Sequence, residues 1–223
     1  MVSFRSRRDA LTPAQRRTWQ RWWPERGATV ADLVAAGRLD TTALFGRAAP
    51  VVLEIGCGTG VATAAMAAAD PGTDVLAVDV YRPGLAQLLG SCDRAGVSWV
   101  HALLGDAVPL LAESLAPGSL AGVRVFFPDP WPKTKHHKRR LLSAATLELV
   151  ASRLRPGGVL HVATDHPGYA AFTRTQAARV PALAPLPPGA PSPVVLDRPE
   201  TKFARRAAAA GSAVTELVYH RTA

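Results

Sequence analysis

From Val51 onward, apolar positions come in short, mostly continuous blocks rather than in alternation. Val51 to Ile55, Val75 to Val78, Trp99 to Leu104, Val123 to Phe127 and Val159 to Ala163 are each four to six residues long. Blocks of that length predict strands buried on both faces. Each is closed by a turn residue or an acid: Gly56, Asp79, Gly105-Asp106, Pro128 and Thr164-Asp165. Between them lie stretches of helix-forming composition. Val61 to Ala69 is Ala-rich, and Arg139 to Arg153 carries Leu141, Leu142, Ala145, Leu149 and Val150 on one face before Pro156-Gly157-Gly158. Val214 to His220 predicts a closing strand, and the Pro-rich stretch Pro181 to Pro193 predicts a surface connection with little regular structure. Strands alternating with helices make an open, mainly parallel α/β sheet with helices on both faces.

Ligands of such sheets bind beyond the carboxyl ends of the strands. Those ends carry Glu54, Asp79, Asp106, Asp129 and Asp165. Five acids at five strand ends mark the rim of an active site.

Charge sharpens this picture. The chain has 223 residues, 26 Lys+Arg and 17 Asp+Glu, a formal net charge of +9. Residues 1–26 hold seven Arg against Asp9 and Glu25. Residues 131–142 hold Lys133, Lys135, Lys138, Arg139 and Arg140 and no acid, and residues 198–206 hold Arg198, Lys202, Arg205 and Arg206 against Glu200. Outside these three segments ten basic side chains face fourteen acidic ones, so the positive excess is a footprint suited to a polyanion such as nucleic acid. At 48% hydrophobic the chain has material for a core, which excludes a disordered basic tail. Two cysteines exclude a disulfide scaffold and a Cys-rich zinc site. No apolar stretch approaches the roughly 20 residues of a membrane span, and the Arg-rich start has no apolar signal region. A cytoplasmic location is expected. The expected organisation is a basic N-terminal arm over 1–26, mobile until it meets RNA, and one domain over 27–223.

Residues 51–60, VVLEIGCGTG, place Gly56, Gly58 and Gly60 between a strand and a helix. Glycines there let the backbone approach a ligand closely. The spacing G-x-G-x-G differs from the G-x-G-x-x-G of dinucleotide sites, and Glu54 would repel a phosphate. Asp79, 23 positions after Gly56, ends the next strand, where a carboxylate can accept both hydroxyls of a ribose. An adenosine-type ligand bearing positive charge suits these residues. Here the chain resembles the Rossmann-like class I S-adenosylmethionine-dependent methyltransferases. The resemblance implies S-adenosylmethionine as cofactor, held by Glu54, Gly56, Gly58, Gly60, Asp79, Asp106 (near the adenine) and Asp129. Cys57 reads as a small loop filler.

Residues 126–140, FFPDPWPKTKHHKRR, hold Asp129 between two prolines, with Trp131 as a stacking face and the basic run directly after. A carboxylate, an aromatic platform and cations in one loop are what orienting a base within a phosphate-rich strand requires. His136 and His137 lack a third ligand at metal spacing, so no metal is expected and they read as phosphate or sugar contacts. This string closely resembles the signature of the tRNA (guanine-7-)-methyltransferases, which methylate a guanine in the variable loop. LTPAQ at 11–15, Ala163-Thr164-Asp165 and RPETKF at 198–203 are similar to further motifs of that family. The resemblance implies Asp129 as the catalytic residue and Lys133, Asp165, Thr201, Lys202 and Phe203 at the substrate, tRNA. Ala204 stands where the family usually has Glu, so any contact of that carboxylate is absent or supplied by another group.

Two other readings compete. Amino-directed nucleic-acid methyltransferases use a D-P-P-aromatic loop, but Asp129-Pro130-Trp131-Pro132 exchanges the last two. A non-catalytic RNA-binding protein on the same fold would have no need for carboxylates facing phosphate. A monomer or a homodimer is compatible with the sequence.

Overall fold

A computed structural model describes residues 10–199 and 213–222. Arg5, Arg7, Arg8, Thr201, Lys202, Phe203 and Ala204 lie outside the described residues. Eight strands form one sheet: β1 (Gly27–Thr29), β2 (Val51–Ile55), β3 (Asp74–Asp79), β4 (Val100–Leu104), β5 (Leu120–Phe126), β6 (Leu154–Thr164), β7 (Leu183–Pro185) and β8 (Thr215–Arg221). The helices are α1 (Pro13–Arg26), α2 (Val30–Ala36), α3 (Thr41–Phe45), α4 (Val61–Ala69), α5 (Arg82–Arg94), α6 (Ala107–Pro109), α7 (Ala144–Arg153) and α8 (Pro167–Ala177). The strand order is β1-β4-β3-β2-β5-β6-β8-β7, with β8 antiparallel to β6 and β7 and every other pairing parallel.

Alternate residues of a strand face opposite sides of the sheet. Leu53, Leu76, Leu103, Val123 and Leu160 pack on one side with Leu110, Leu147, Val150 and Tyr169. Val75, Ala77, Val100 and Ala102 pack on the other with Trp19, Leu85, Leu88 and Leu89 of α1 and α5. Burial on both faces explains why the strands read as mostly continuous apolar blocks. The chain runs outward from β2 through β3 to β4, then returns to place β5 on the other side of β2. That reversal makes the gap between the ends of β2 and β5 the switch point where ligands of such sheets bind.

Three local expectations are corrected. The helix expected over Arg139 to Arg153 begins only at Ala144, capped by the Ser143 hydroxyl, and a separate 3₁₀ turn spans Thr134–Arg139. Arg140 between them is extended, at φ −63° and ψ 129°, because its side chain turns inward. Pro156-Gly157-Gly158 lies inside β6, where the pairing with β5 shifts register between Leu120 and Gly122 and absorbs the irregular residues. Within the Pro-rich stretch, Leu183–Pro185 pairs with β8 as an edge strand, where proline is tolerated.

The second half of the basic N-terminal segment is a helix packed on the domain. Thr12 and Gln15 cap α1 reciprocally, side chain to backbone, which gives the LTPAQ string its local meaning. Trp19 is buried and stacks on Trp23 at 3.9 Å, with the Arg82 guanidinium 4.7 Å from the Trp19 ring centroid. The Gln15 amide donates to the Pro83 carbonyl and the Arg26 guanidinium to the Val97 carbonyl.

Candidate active site at the switch point

Read along the sheet, the acids stand in the order Asp106, Asp79, Glu54, Asp129 and Asp165, at the ends of β4, β3, β2, β5 and β6. Three lie on one side of the switch point and two on the other. A cavity of about 590 Å³ opens at the end of β2, where Glu54 is the one acid of the five that lines it and α5 supplies Ala86, Gln87 and Gly90. Its walls include Glu54, Gly56, Cys57, Gly58 and Thr59 from the end of β2, and Phe126 and Phe127 from the end of β5. Ala14, Gln15 and Thr18 of α1 close it on the far side, a role for the N-terminal segment that its charge did not suggest.

The loop after β2 is shaped by hydrogen bonds to β3. Gly56 N–H donates to the Val78 carbonyl at 2.8 Å, and Gly58 N–H donates to Asp79 Oδ2 at 2.7 Å. Gly56 and Gly58 have φ of +78° and +58°, and nothing lies within 4 Å of where a side chain would begin at either. Their open space faces a ligand-sized cavity, and only glycine adopts such angles without strain. Gly84 was missed by sequence reasoning: a Cβ there would sit 2.1 Å from the Gly58 carbonyl oxygen, so α5 presses directly on the loop.

Asp79 is braced by two backbone amides, Gly58 to Oδ2 and Tyr81 to Oδ1 at 2.8 Å. Asp106 caps α6 by accepting the Val108 N–H, and Gly105 N–H donates to the Asp79 carbonyl, which ties the ends of β3 and β4 together. Glu54 is 2% exposed. Its Oε1 accepts the Thr63 hydroxyl at 2.8 Å, whereas Oε2 has no hydrogen-bond partner. Burial pushes the Glu54 carboxyl up, opposed by Arg124 and by the Thr63 hydrogen bond. A buried carboxylate oxygen without a partner, beside an open glycine loop, suits a cationic ligand group. Burial also pushes the Cys57 thiol well above its ordinary range, with Asp79 and Glu54 adding to the effect, so it remains a protonated wall residue.

On the other side, Phe127 and Trp131 adopt φ of +51° and +41°. Non-glycine residues rarely occupy this region, and two of them frame Asp129 within five residues. Phe127 N–H donates to the Ala163 carbonyl at 2.8 Å. Asp129 is half-buried, as is Asp165 at the end of β6.

The basic run divides. Lys133, Lys135 and Lys138 are exposed. Arg140 is 5% exposed, with Nε donating to the Pro130 carbonyl at 2.9 Å and Nη1 to the Gly168 carbonyl at 3.2 Å. It is a strut between the Asp129 loop and the start of α8, and not a phosphate contact. The stacking face expected of Trp131 is also corrected. The ring is 7% exposed, with the Arg139 guanidinium 3.8 Å from its centroid and His136 beside it. Burial and the surrounding Lys135, Arg139, Lys133 and Lys138 charges hold His136 below the usual imidazole range. Among the described residues, no group of three His, Cys, Asp or Glu could hold a metal ion, and no helix is long and apolar enough to cross a membrane.

An open parallel sheet with a glycine loop at its switch point and one antiparallel C-terminal strand defines a Rossmann-like class I methyltransferase. Solved structures with this fold include the 16S rRNA methyltransferase KamB, with a TM-score of 0.58, 18% identity and coverage of 83% of this chain and 95% of that one. A putative methyltransferase from Thermoplasma acidophilum gives 0.51, 16% identity and coverage of 83% and 76%. The family described as "Putative methyltransferase" matches residues 48–217. The chain belongs to the family of the tRNA (guanine-N(7)-)-methyltransferases. It is 54% identical to the protein of that name from Mycobacterium avium over 224 residues, which cover 99% of this chain and 86% of the relative. The corresponding Mycobacterium leprae protein is 52% identical over 221 residues, covering 99% and 96%.

Proposed function

We propose that this chain transfers the methyl group of S-adenosylmethionine to nitrogen-7 of a guanine in the variable loop of tRNA. The observation that carries the reading is the cavity bounded by Glu54 and the Gly56 to Thr59 loop, by α1 and α5, and by Phe127, two residues before Asp129. The residues present fit the cofactor. Glu54, with one oxygen unpartnered, would receive its cationic end. Gly56 and Gly58 would admit it against the backbone, whereas Gly60, where a Cβ would collide with Leu88, packs the loop on α5. Asp79 would accept the ribose hydroxyls, since a carboxylate has about four acceptor sites and two amides brace it in place. Asp106 would lie near the adenine.

Bound there, S-adenosylmethionine supplies an electrophilic methyl group on a sulfonium. Guanine nitrogen-7 carries a free lone pair at neutral pH, so no residue has to remove a proton. The protein's tasks are orientation, exclusion of water and stabilisation of the positive charge that the purine acquires. Asp129, in its stiff and strained loop, would orient the guanine or back that charge. Asp165, Thr201, Lys202 and Phe203 would hold the substrate. The exposed Lys133, Lys135 and Lys138 would contact phosphates.

Radiolabelled methyl transfer to unmodified tRNA, followed by nitrogen-7-specific chain cleavage, tests the reading. One cleavage in the variable loop is expected. Label on an exocyclic amine, or no label at all, would contradict it.

A further inference from the structure

We propose that Glu216 and Arg198 are positioning residues for methyl transfer, acting through Phe127 on the Asp129 loop. The inference rests on the activity proposed above.

Glu216 lies on β8, in register with Ala163 of β6. Each of its oxygens is engaged. Oε2 meets His161 Nε2 at 2.6 Å, and Oε1 accepts from Arg198 Nε at 3.1 Å and faces Nη2 at 3.0 Å. His161 is buried in β6, with its ring edge-on to Phe126 at 5.0 Å. The Arg198 guanidinium lies 5.2 Å from the Phe127 ring centroid and 5.7 Å from that of Phe126. The contacts close a ring, His161 to Glu216 to Arg198 to the two phenylalanines and back to His161. It encloses the last residue of β5 and the first residue of the Asp129 loop.

Phe127 is where this ring bears on the chemistry. Its φ of +51° is a conformation that a non-glycine residue keeps only when its surroundings impose it. Two of those surroundings are on view: the Ala163 carbonyl accepts the Phe127 N–H, and the Arg198 guanidinium covers the ring. A guanidinium without its carboxylate would turn toward water, since a planar cation is held in one orientation by paired hydrogen bonds. Glu216 supplies that anchor through Oε1, on which Nε and Nη2 converge, and His161 fixes the second oxygen so that the carboxylate cannot rotate away. Asp129 lies two residues beyond Phe127, so a relaxed Phe127 misplaces the carboxylate. Arg198 therefore leaves the set of phosphate contacts expected of the 198–206 basic segment.

The test is single-turnover methyl transfer by Glu216→Gln, Arg198→Met and the double variant in the full-length chain, at saturating S-adenosylmethionine and tRNA. The expected rate loss is about 10–100-fold for each single variant, in line with a sub-ångström to 1 Å misplacement of a reacting group. Cofactor affinity should stay within about threefold, and the double variant should be no slower than the slower single one, as for residues acting as one unit. An unchanged rate with raised KM for tRNA and a shallower salt dependence would overturn the proposal in favour of a phosphate contact. So would a fall in thermal midpoint with the rate per folded molecule unchanged. If Glu216→Gln does not fold, Arg198→Met alone gives the same readout. A wild-type chain that transfers no methyl overturns the activity reading itself, whereas an active wild type with unaffected variants overturns only the positioning role.

Discussion

Glu54 of β2 and Arg124 of β5 are register partners across the strand pair that forms the switch point. Both are buried, and the Arg124 charge, with the Thr63 hydrogen bond behind it, opposes the upward push of burial on the Glu54 carboxyl. Arg124 Nη2 donates to the Val195 carbonyl, while Nε and Nη1 have no partner. Neither residue's partner is apparent in the sequence, where they stand 70 positions apart.

A pH dependence of cofactor affinity follows. Only ionised Glu54 attracts a cation, and its pKa is raised, so affinity is full at high pH and falls as pH drops through that pKa. Arg124→Met removes a lowering influence and moves the fall to higher pH. Calorimetric titration with S-adenosylmethionine over a pH series rising from the ordinary carboxylate range checks this, with Glu54→Gln as the control in which affinity is weak and the titration vanishes.

Gly84→Ala should damage cofactor binding without touching the cavity. The added methyl must displace the Gly58 carbonyl, which lies 2.1 Å away, and so the loop that Asp79 holds. We expect affinity for S-adenosylmethionine to fall by about tenfold or more and the thermal midpoint to drop, as overpacking against backbone costs roughly 1–3 kcal/mol. Asp93→Gly, on the exposed face of the same helix and away from the cavity, controls for the general cost of altering α5.

The buried strut and the exposed lysines should separate in a salt titration. Lys135→Ala should weaken tRNA binding and reduce the salt slope by about 1, leaving the rate at saturation intact. Arg140→Lys should leave the slope unchanged and lower the rate, because a single ammonium nitrogen replaces the planar fork whose Nε and Nη1 reach the Pro130 and Gly168 carbonyls separately. Filter binding over a salt series, paired with single-turnover rates, distinguishes the two.

Truncation should divide the N-terminal segment near residue 12. Removing residues 1–9 takes away Arg5, Arg7 and Arg8 and should weaken tRNA binding with cofactor affinity unchanged. Removing residues 1–18 also deletes the cap, Gln15 and Thr18, which close the cavity, and should weaken both.

These contrasts mark what the sequence disclosed. Strands buried on both faces announce themselves as apolar blocks, and the acids at their ends lined up because a parallel sheet brings every strand's carboxyl end to one edge. The glycine loop was legible for the same reason. Charge was not legible in this way. Arg140 and Lys138 look alike in a basic run, and only the turn of the chain after the 3₁₀ segment shows that one is interior and the other exposed. Trp131 beside a basic run predicts a platform, because aromatic next to basic is a common nucleic-acid pattern, yet its positive φ folds it beneath Arg139. The Arg198, Glu216 and His161 contacts join three segments far apart in sequence, so no local pattern could reveal them. Strands β1 and β7, three residues each, are too short to carry a period.

The central claim is that Asp129 serves methyl transfer through position and charge while the glycine loop and its acids hold the cofactor. Single-turnover methyl transfer by Asp129→Asn, measured beside its affinity for S-adenosylmethionine, tests it most directly. A rate about 100-fold or more below wild type, the scale seen when one preorganised electrostatic group is removed, with cofactor affinity within about threefold, is the expected result. Unchanged turnover with near-normal cofactor affinity would contradict the account.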